Sequence, residues 1–186
     1  MKKFNFLFLV IITVLFSNME SSAQEIEPDF VGEVYLLNSE NSYVPLDKEI
    51  GDFTSGMSFS SNSWNAQSLE IQGGKSQIRI SFGEPIKLIV RAVDNNSDPL
   101  TIISIYKFKA KKKKRKVVLS EDNSGTFMKS RTHSKDMVRF NGKKYGESSY
   151  LITLKNLKAG EYGIIVSNPN NRDEKRVVVS CFAVDK

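Results

Sequence analysis

The residues best suited to chemistry in this chain are cations packed into one stretch. Between positions 107 and 116 stand Lys107, Lys109, Lys111, Lys112, Lys113, Lys114, Arg115 and Lys116. Charge at that density suits the binding of anions, whether an acidic glycan, a lipid phosphate or a cell-wall polymer. Other constellations fall short. Asp94, Asn96 and Asp98 have the spacing that opens a calcium loop, but Pro99 holds the glycine position and Ile105 the twelfth, so they read as turn caps. Gly74-Lys75-Ser76 lacks the glycine five residues earlier that a phosphate loop requires. The single histidine, His133, stands in a polar loop without a cysteine nearby, which disfavours a zinc site or a serine-histidine triad. No cofactor is implied. Glu121, Asp122 and Glu147 could supply a carboxylate pair for hydrolysis, but spacing alone does not bring them together.

The cations are concentrated rather than spread. The full chain of 186 residues carries 27 Lys and Arg against 21 Asp and Glu, a net +6. Met1-Lys2-Lys3, the apolar stretch Phe6 to Phe16, and Ser21-Ser22-Ala23 before Gln24 read as a cleavable export signal over 1–23. The apolar stretch is shorter than the ~18 residues that cross a bilayer. The expected mature protein, 24–186, is a single domain, periplasmic or secreted. Loss of Lys2, Lys3 and Glu20 leaves it 25 cations and 20 acids. Without the eight cations of 107–116 that balance would be negative, so the excess is one patch.

Strand-like segments separated by Gly, Pro, Asn and Asp clusters recur after Gln24, and the expected fold is all-β: a single antiparallel β-sandwich of the immunoglobulin-like or jelly-roll-like Greek-key kind. The strands expected are Phe30–Leu37, Tyr43–Leu46, Leu69–Ile71, Gln77–Phe82, Ile86–Val93, Ile102–Ala110, Arg115–Ser120, Met137–Phe140, Ser149–Leu154, Tyr162–Ser167 and Val177–Val184. In the fourth, Ile78, Ile80 and Phe82 share the expected buried face. Ser55 to Ser68 reads as a long polar loop. Within it Trp64 is either a ring for stacking on a ligand or one folded back over the domain. Cys181, on the last strand, reads as a buried small hydrophobe.

Strand parity fixes the register of the basic run. A turn at Lys112-Lys113 sets Phe108 opposite Val117, Tyr106 opposite Leu119, and Lys109 opposite Lys116. The last pairing opposes like charges, so a flaring tip or an anionic partner is expected. Two readings stand: a solvated tip that protects a sheet edge, or an anion-binding hairpin. Nucleic acid is disfavoured, because the aromatics of the run face the expected core and do not form stacking platforms.

Leu154, Leu157, Gly160, Glu161 and Tyr162, ahead of the apolar Gly163–Val166, resemble the tyrosine corner of immunoglobulin-like and fibronectin-like sandwiches. That resemblance implies a structural role for Tyr162 and Gly160, with the Tyr hydroxyl bonding back to upstream backbone. From the basic run through Lys144-Tyr145-Gly146-Glu147-Ser148-Ser149-Tyr150 to this corner, the chain is similar to uncharacterised exported proteins of Gram-negative bacteria. The resemblance names no activity. The function expected is that of a non-enzymatic interaction or envelope-associated module. The alternatives are a binding module for an acidic polymer or lipid headgroup through the basic hairpin, and a hydrolase with an unrecognised carboxylate pair.

Overall fold

A computed structural model describes residues 26–38, 42–58, 64–123 and 133–186. The segment expected to be an export signal lies outside them. Among the described residues there are twelve strands: β1 (Val34–Leu37), β2 (Tyr43–Pro45), β3 (Asp47–Ser58), β4 (Trp64–Gln72), β5 (Arg79–Ile80), β6 (Ile86–Arg91), β7 (Ile103–Ala110), β8 (Lys114–Asn123), β9 (Asn141–Tyr145), β10 (Ser149–Leu154), β11 (Gly160–Val166) and β12 (Arg176–Val184). One helical turn, α1 (Pro99–Ile102), precedes β7. No helix among the described residues is long and apolar enough to cross a membrane.

The strands form two sheets. The smaller runs β2-β1-β6-β10-β9. In the larger, β11-β7-β8-β4-β3-β12, the last strand pairs with the first, so six strands close into a barrel and β5 joins β12 in parallel. All other pairings are antiparallel. Closure gives each of the six strands a partner on both sides, although β3 beyond Asp52 and β8 beyond Lys116 have ladder pairing with β4 alone.

Two cores result. Leu69, Ile71, Tyr106, Phe108, Val117 and Cys181 fill the barrel interior. Leu88, Val90 and Ile152 of the smaller sheet pack against Ile105, Ile164 and Phe182 of the larger. Strands β7, β11 and β12 therefore bury both faces, one towards each core. That is why β11 and β12 carry almost unbroken apolar runs instead of alternation. Cys181 lies inside the barrel, and burial pushes its thiol up to about 12.

Several boundaries differ from the expected ones. Ser55 to Ser68 is no simple loop: β3 and β4 extend into it, pairing Ser58 with Trp64, and both strands are polar because one face of a barrel wall meets water. Met137–Phe140 forms no strand, only a bridge from Met137 to Tyr106; the neighbouring strand is β9, whose edge position tolerates Asn, Gly and Lys. Phe82 is exposed, since β5 ends at Ile80. The Asp94–Pro99 turn is capped by side chains, with Asp94 accepting from the Asn96 amide at 2.9 Å and Asp98 from the Leu100 amide at 2.8 Å.

Candidate functional site

The basic run forms the β7–β8 hairpin, and next to the tip the register is the expected one: Lys109 pairs with Lys116 and Ala110 with Arg115. Farther along, the expected pairing of Tyr106 with Leu119 does not form, because residues 136–138 take that side of β7 and Met137 bridges Tyr106. The tip turns through Lys112-Lys113, closed by a bond from the Lys111 amide to the Lys114 carbonyl at 2.8 Å. It rests on the chain after β4. The Gly73 amide donates to the Lys113 carbonyl at 2.9 Å, and a Cβ at Gly74 would stand 2.4 Å from the Lys111 oxygen. Gly74 thus serves close packing under the tip, and exposed Lys75 follows it.

The eight cations divide into two groups of four. Arg115 is only 1% exposed and points into the end of the barrel. Its Nε donates to the Gly73 carbonyl at 3.2 Å, its Nη2 to Glu49 at 3.4 Å, and its Nη1 lies 3.8 Å from Glu161 Oε2. Lys114 and Lys116 donate to the two oxygens of Glu70 at 2.6 and 2.8 Å. These two ammonium groups hold the Glu70 carboxyl below its ordinary value of 4.5, against the opposing effect of burial. Lys107 donates to the Ala159 carbonyl at 2.8 Å, with its ammonium 5.8 Å from the Tyr162 ring centroid. The second group, Lys109, Lys111, Lys112 and Lys113, is exposed and has no carboxylate partner among the described residues.

The flare expected from Lys109 facing Lys116 is therefore unnecessary. Glu70, on the strand beyond Lys116, supplies the countercharge from within the fold. Arg115 is withdrawn from any external surface, because the parity that carries Val117 into the barrel carries Arg115 with it.

The buried end of Arg115 belongs to a structural network. Glu161 accepts from the Ser76 amide at 2.8 Å and pairs with Arg79 at 3.4 Å, while Arg79 Nε reaches Asp185 at 2.9 Å. Asp47 accepts from the Ser76 hydroxyl at 2.6 Å. Tyr162 donates to the Lys158 carbonyl at 2.5 Å, the backward bond expected of the corner. At Gly160 a Cβ would stand 2.6 Å from Lys107 Cε, so glycine there admits the lysine.

Other sequence candidates do not converge. Trp64 opens β4, pairing with Ser58 and Asn123; the stacking proposed for its ring lies outside the described residues. Glu121 and Asp122 sit on β8, whereas Glu147 lies in the β9–β10 turn of the other sheet. His133 is exposed, and among the described residues no group of three or more His, Cys, Asp or Glu could hold a metal ion. A feature unnoticed in the sequence is Glu27, which bonds the Ser149 hydroxyl at 2.8 Å, the Ser148 amide at 3.3 Å, the Glu147 amide and Arg91. A scan against family models and searches of curated proteins and solved structures each found no match.

Proposed function

We propose that the protein is a non-enzymatic interaction module, exported by its N-terminal signal, that grips a polyanion through the β7–β8 hairpin tip. One observation carries this reading: the hairpin base is neutralised by Glu70, Glu49 and Glu161, while four adjacent lysines at and beside the tip are left without acids. A tip meant only to discourage edge pairing has little to protect beside it, since Arg115 and Lys116 of β8 already pair with β7 on one side and β4 on the other. The seating of the tip on Gly73-Gly74 holds the cations at a fixed place, which lowers the ordering cost of binding. The ligand class is an acidic glycan, a phosphate-bearing lipid headgroup or an anionic envelope polymer. In the same reading the two face-packed sheets and the Tyr162 corner make the fold a relative of Greek-key sandwiches, with one sheet rolled shut.

The test is retention on immobilised heparin across a salt gradient. Wild type is expected to bind with strong salt dependence, and the variant with Lys109, Lys111, Lys112 and Lys113 changed to Ser to elute early. Equal retention of the two proteins overturns the proposal.

A further inference from the structure

We infer that the protein has a second site, independent of the hairpin tip, which binds an N-acetylated sugar in the cleft where β11 and β12 separate. This cleft is at the other end of the barrel: Val166 pairs with Ile103 at the start of β7, and the tip follows the end of β7.

The β11–β12 ladder stops at the Ile164–Ser180 pair. Beyond it β11 follows β7, with the Ser167 amide donating to the Ile102 carbonyl at 2.9 Å. Over the same stretch β12 follows β3, with the Phe53 amide donating to the Lys175 carbonyl at 2.9 Å. Backbone polar groups alternate sides along a strand, so Val166 and Val178, next in register, turn their amides and carbonyls towards the opened seam. Neither has a ladder partner across it. A cleft of about 650 Å³ lies here, within the roughly 300–1,000 Å³ usual for small-molecule sites. Its apolar lining comes from Ile50 and Val178, a cross-strand pair 55% and 45% exposed, and from Phe53, Ile165 and Val177, which border the barrel core.

The polar lining comes from the loop between the two strands, much of which bonds to itself. Asn171 Nδ2 donates to the Asp173 and Arg176 carbonyls, both at 3.1 Å. Asp173 accepts from the Lys175 amide at 2.9 Å and pairs with Arg176 at 3.1 Å, and Asn168 Oδ1 accepts from the Asn170 amide at 2.9 Å. These bonds shape the loop before a ligand arrives, which lowers the ordering cost of binding. Asn168 Nδ2, the Asn170 side chain and the Glu174 carboxylate remain, bonded to none of the described residues. Donors and acceptors beside apolar walls match a sugar, whose hydroxyls both donate and accept and whose ring C–H faces are apolar. An acetamido group adds an N–H, a carbonyl and a methyl, which complement the unpaired backbone carbonyls and amides of the two valines. Other ligand classes fit less well. Arg176 is already paired and Glu174 is not, so the lining repels an anion. A peptide strand gains affinity from a row of main-chain bonds, but Ile164 and Ser180 are paired to each other and the Arg176 carbonyl is taken, which leaves too short an edge.

Titration of the isotope-labelled protein with di-N-acetylchitobiose, followed by amide NMR shifts, tests this. The amides of Val166, Val178 and residues 168–174 are expected to shift and saturate. Cellobiose, a similar disaccharide without acetamido groups, should bind about tenfold more weakly. Asn170→Ala with Glu174→Ala, at exposed side chains without bonds, should weaken chitobiose binding by about tenfold, and Val178→Trp should abolish it by filling the cleft. Melting curves verify that these variants fold, and heparin retention should match wild type in both. The inference falls if chitobiose shifts no cleft amide, if cellobiose binds as tightly, or if the folded variants bind chitobiose as wild type does. It falls also if N-acetylvaline methylamide, which has the amide groups and no sugar ring, binds better than chitobiose, since the cleft would then be a peptide site. None of these results bears on the tip, whose polyanion reading stands or falls with the hairpin serine variant on heparin.

Discussion

Arg115 and Glu161 lie 3.8 Å apart inside one end of the barrel, so the most buried member of the basic run closes the fold instead of meeting a ligand. Removing Arg115 takes one of two guanidinium partners from buried Glu161, which keeps Arg79 and the Ser76 amide, and also leaves the Gly73 carbonyl and Glu49 without their bonds from it. Arg115→Ala is expected to cost about 3 kcal/mol or more in urea denaturation. Lys112→Ser, on the exposed tip, should change stability by less than about 0.5 kcal/mol. Similar costs for the two would contradict the division of the run.

Cys181 tests the barrel interior directly. Burial holds its thiol at about 12, against an ordinary 9.0, so at pH 8 it is protonated and enclosed. A thiol reagent should leave the native protein unmodified at pH 8 and label it once urea unfolds it. A folded value above the unfolded one stabilises the protein fully below pH 9, and the contribution is lost as pH rises through about 12. Rapid native labelling would show that the interior opens.

Tyr162 pins the corner to the Lys158 carbonyl, and its ring stacks on Phe182 with centroids 5.3 Å apart. Tyr162→Phe keeps the stacking and deletes the bond. The expected loss is about 1 kcal/mol by urea denaturation, with the carbonyl of Lys158 left to find water. No loss would deny the corner its structural role.

The hairpin was legible in the sequence because parity and turn position depend on neighbouring residues alone: Tyr106 and Phe108 inward, Lys109 opposite Lys116. Ser149–Leu154 was legible for the same reason. Barrel closure was not, since the pairing of β11 with β12 joins strands whose apolar runs look alike whichever partner they choose. The polar Asp47–Ser58 strand resembled loop because half of it faces water, and Asn141–Tyr145 because an edge strand tolerates Gly and Lys. At the candidate site the composition showed where charge lay and not which charges were free. That division depends on Glu70, Glu49 and Glu161, which reach the run only through ladder register and barrel closure.

Glu27 fastens the segment before β1 to the β9–β10 turn. Burial by itself would raise its carboxyl, but bonds from Ser149, Glu147 and Ser148 and the charge of Arg91 outweigh that and hold it below 4.5. Because the folded value is depressed, the contribution is present above about pH 4.5 and is lost as pH falls through the lower, folded value. Amide exchange in residues 26–33 should rise on acidification, and in Glu27→Gln already at neutral pH, while β6 and β10 stay protected. Unchanged exchange in the variant would show that other contacts hold the segment.

Glu70 sets how much of the basic run is available to a ligand. It binds Lys114 and Lys116 together, and bonds from these two hold its carboxyl below 4.5. Glu70→Gln removes that countercharge, leaving both lysines on the wall beside the tip. All three side chains are partly exposed, so the stability cost should stay within about 1 kcal/mol. Heparin retention should rise and its salt dependence steepen, because two more ammonium groups can displace counterions. The difference has a pH signature. Wild type loses the same charge when Glu70 is protonated, so the gap between variant and wild type should close as pH falls below 4.5, where the heparin sulfates stay ionised. A gap that is absent at neutral pH, or that persists in acid, would mean that Glu70 does not restrain the lysines that meet the ligand.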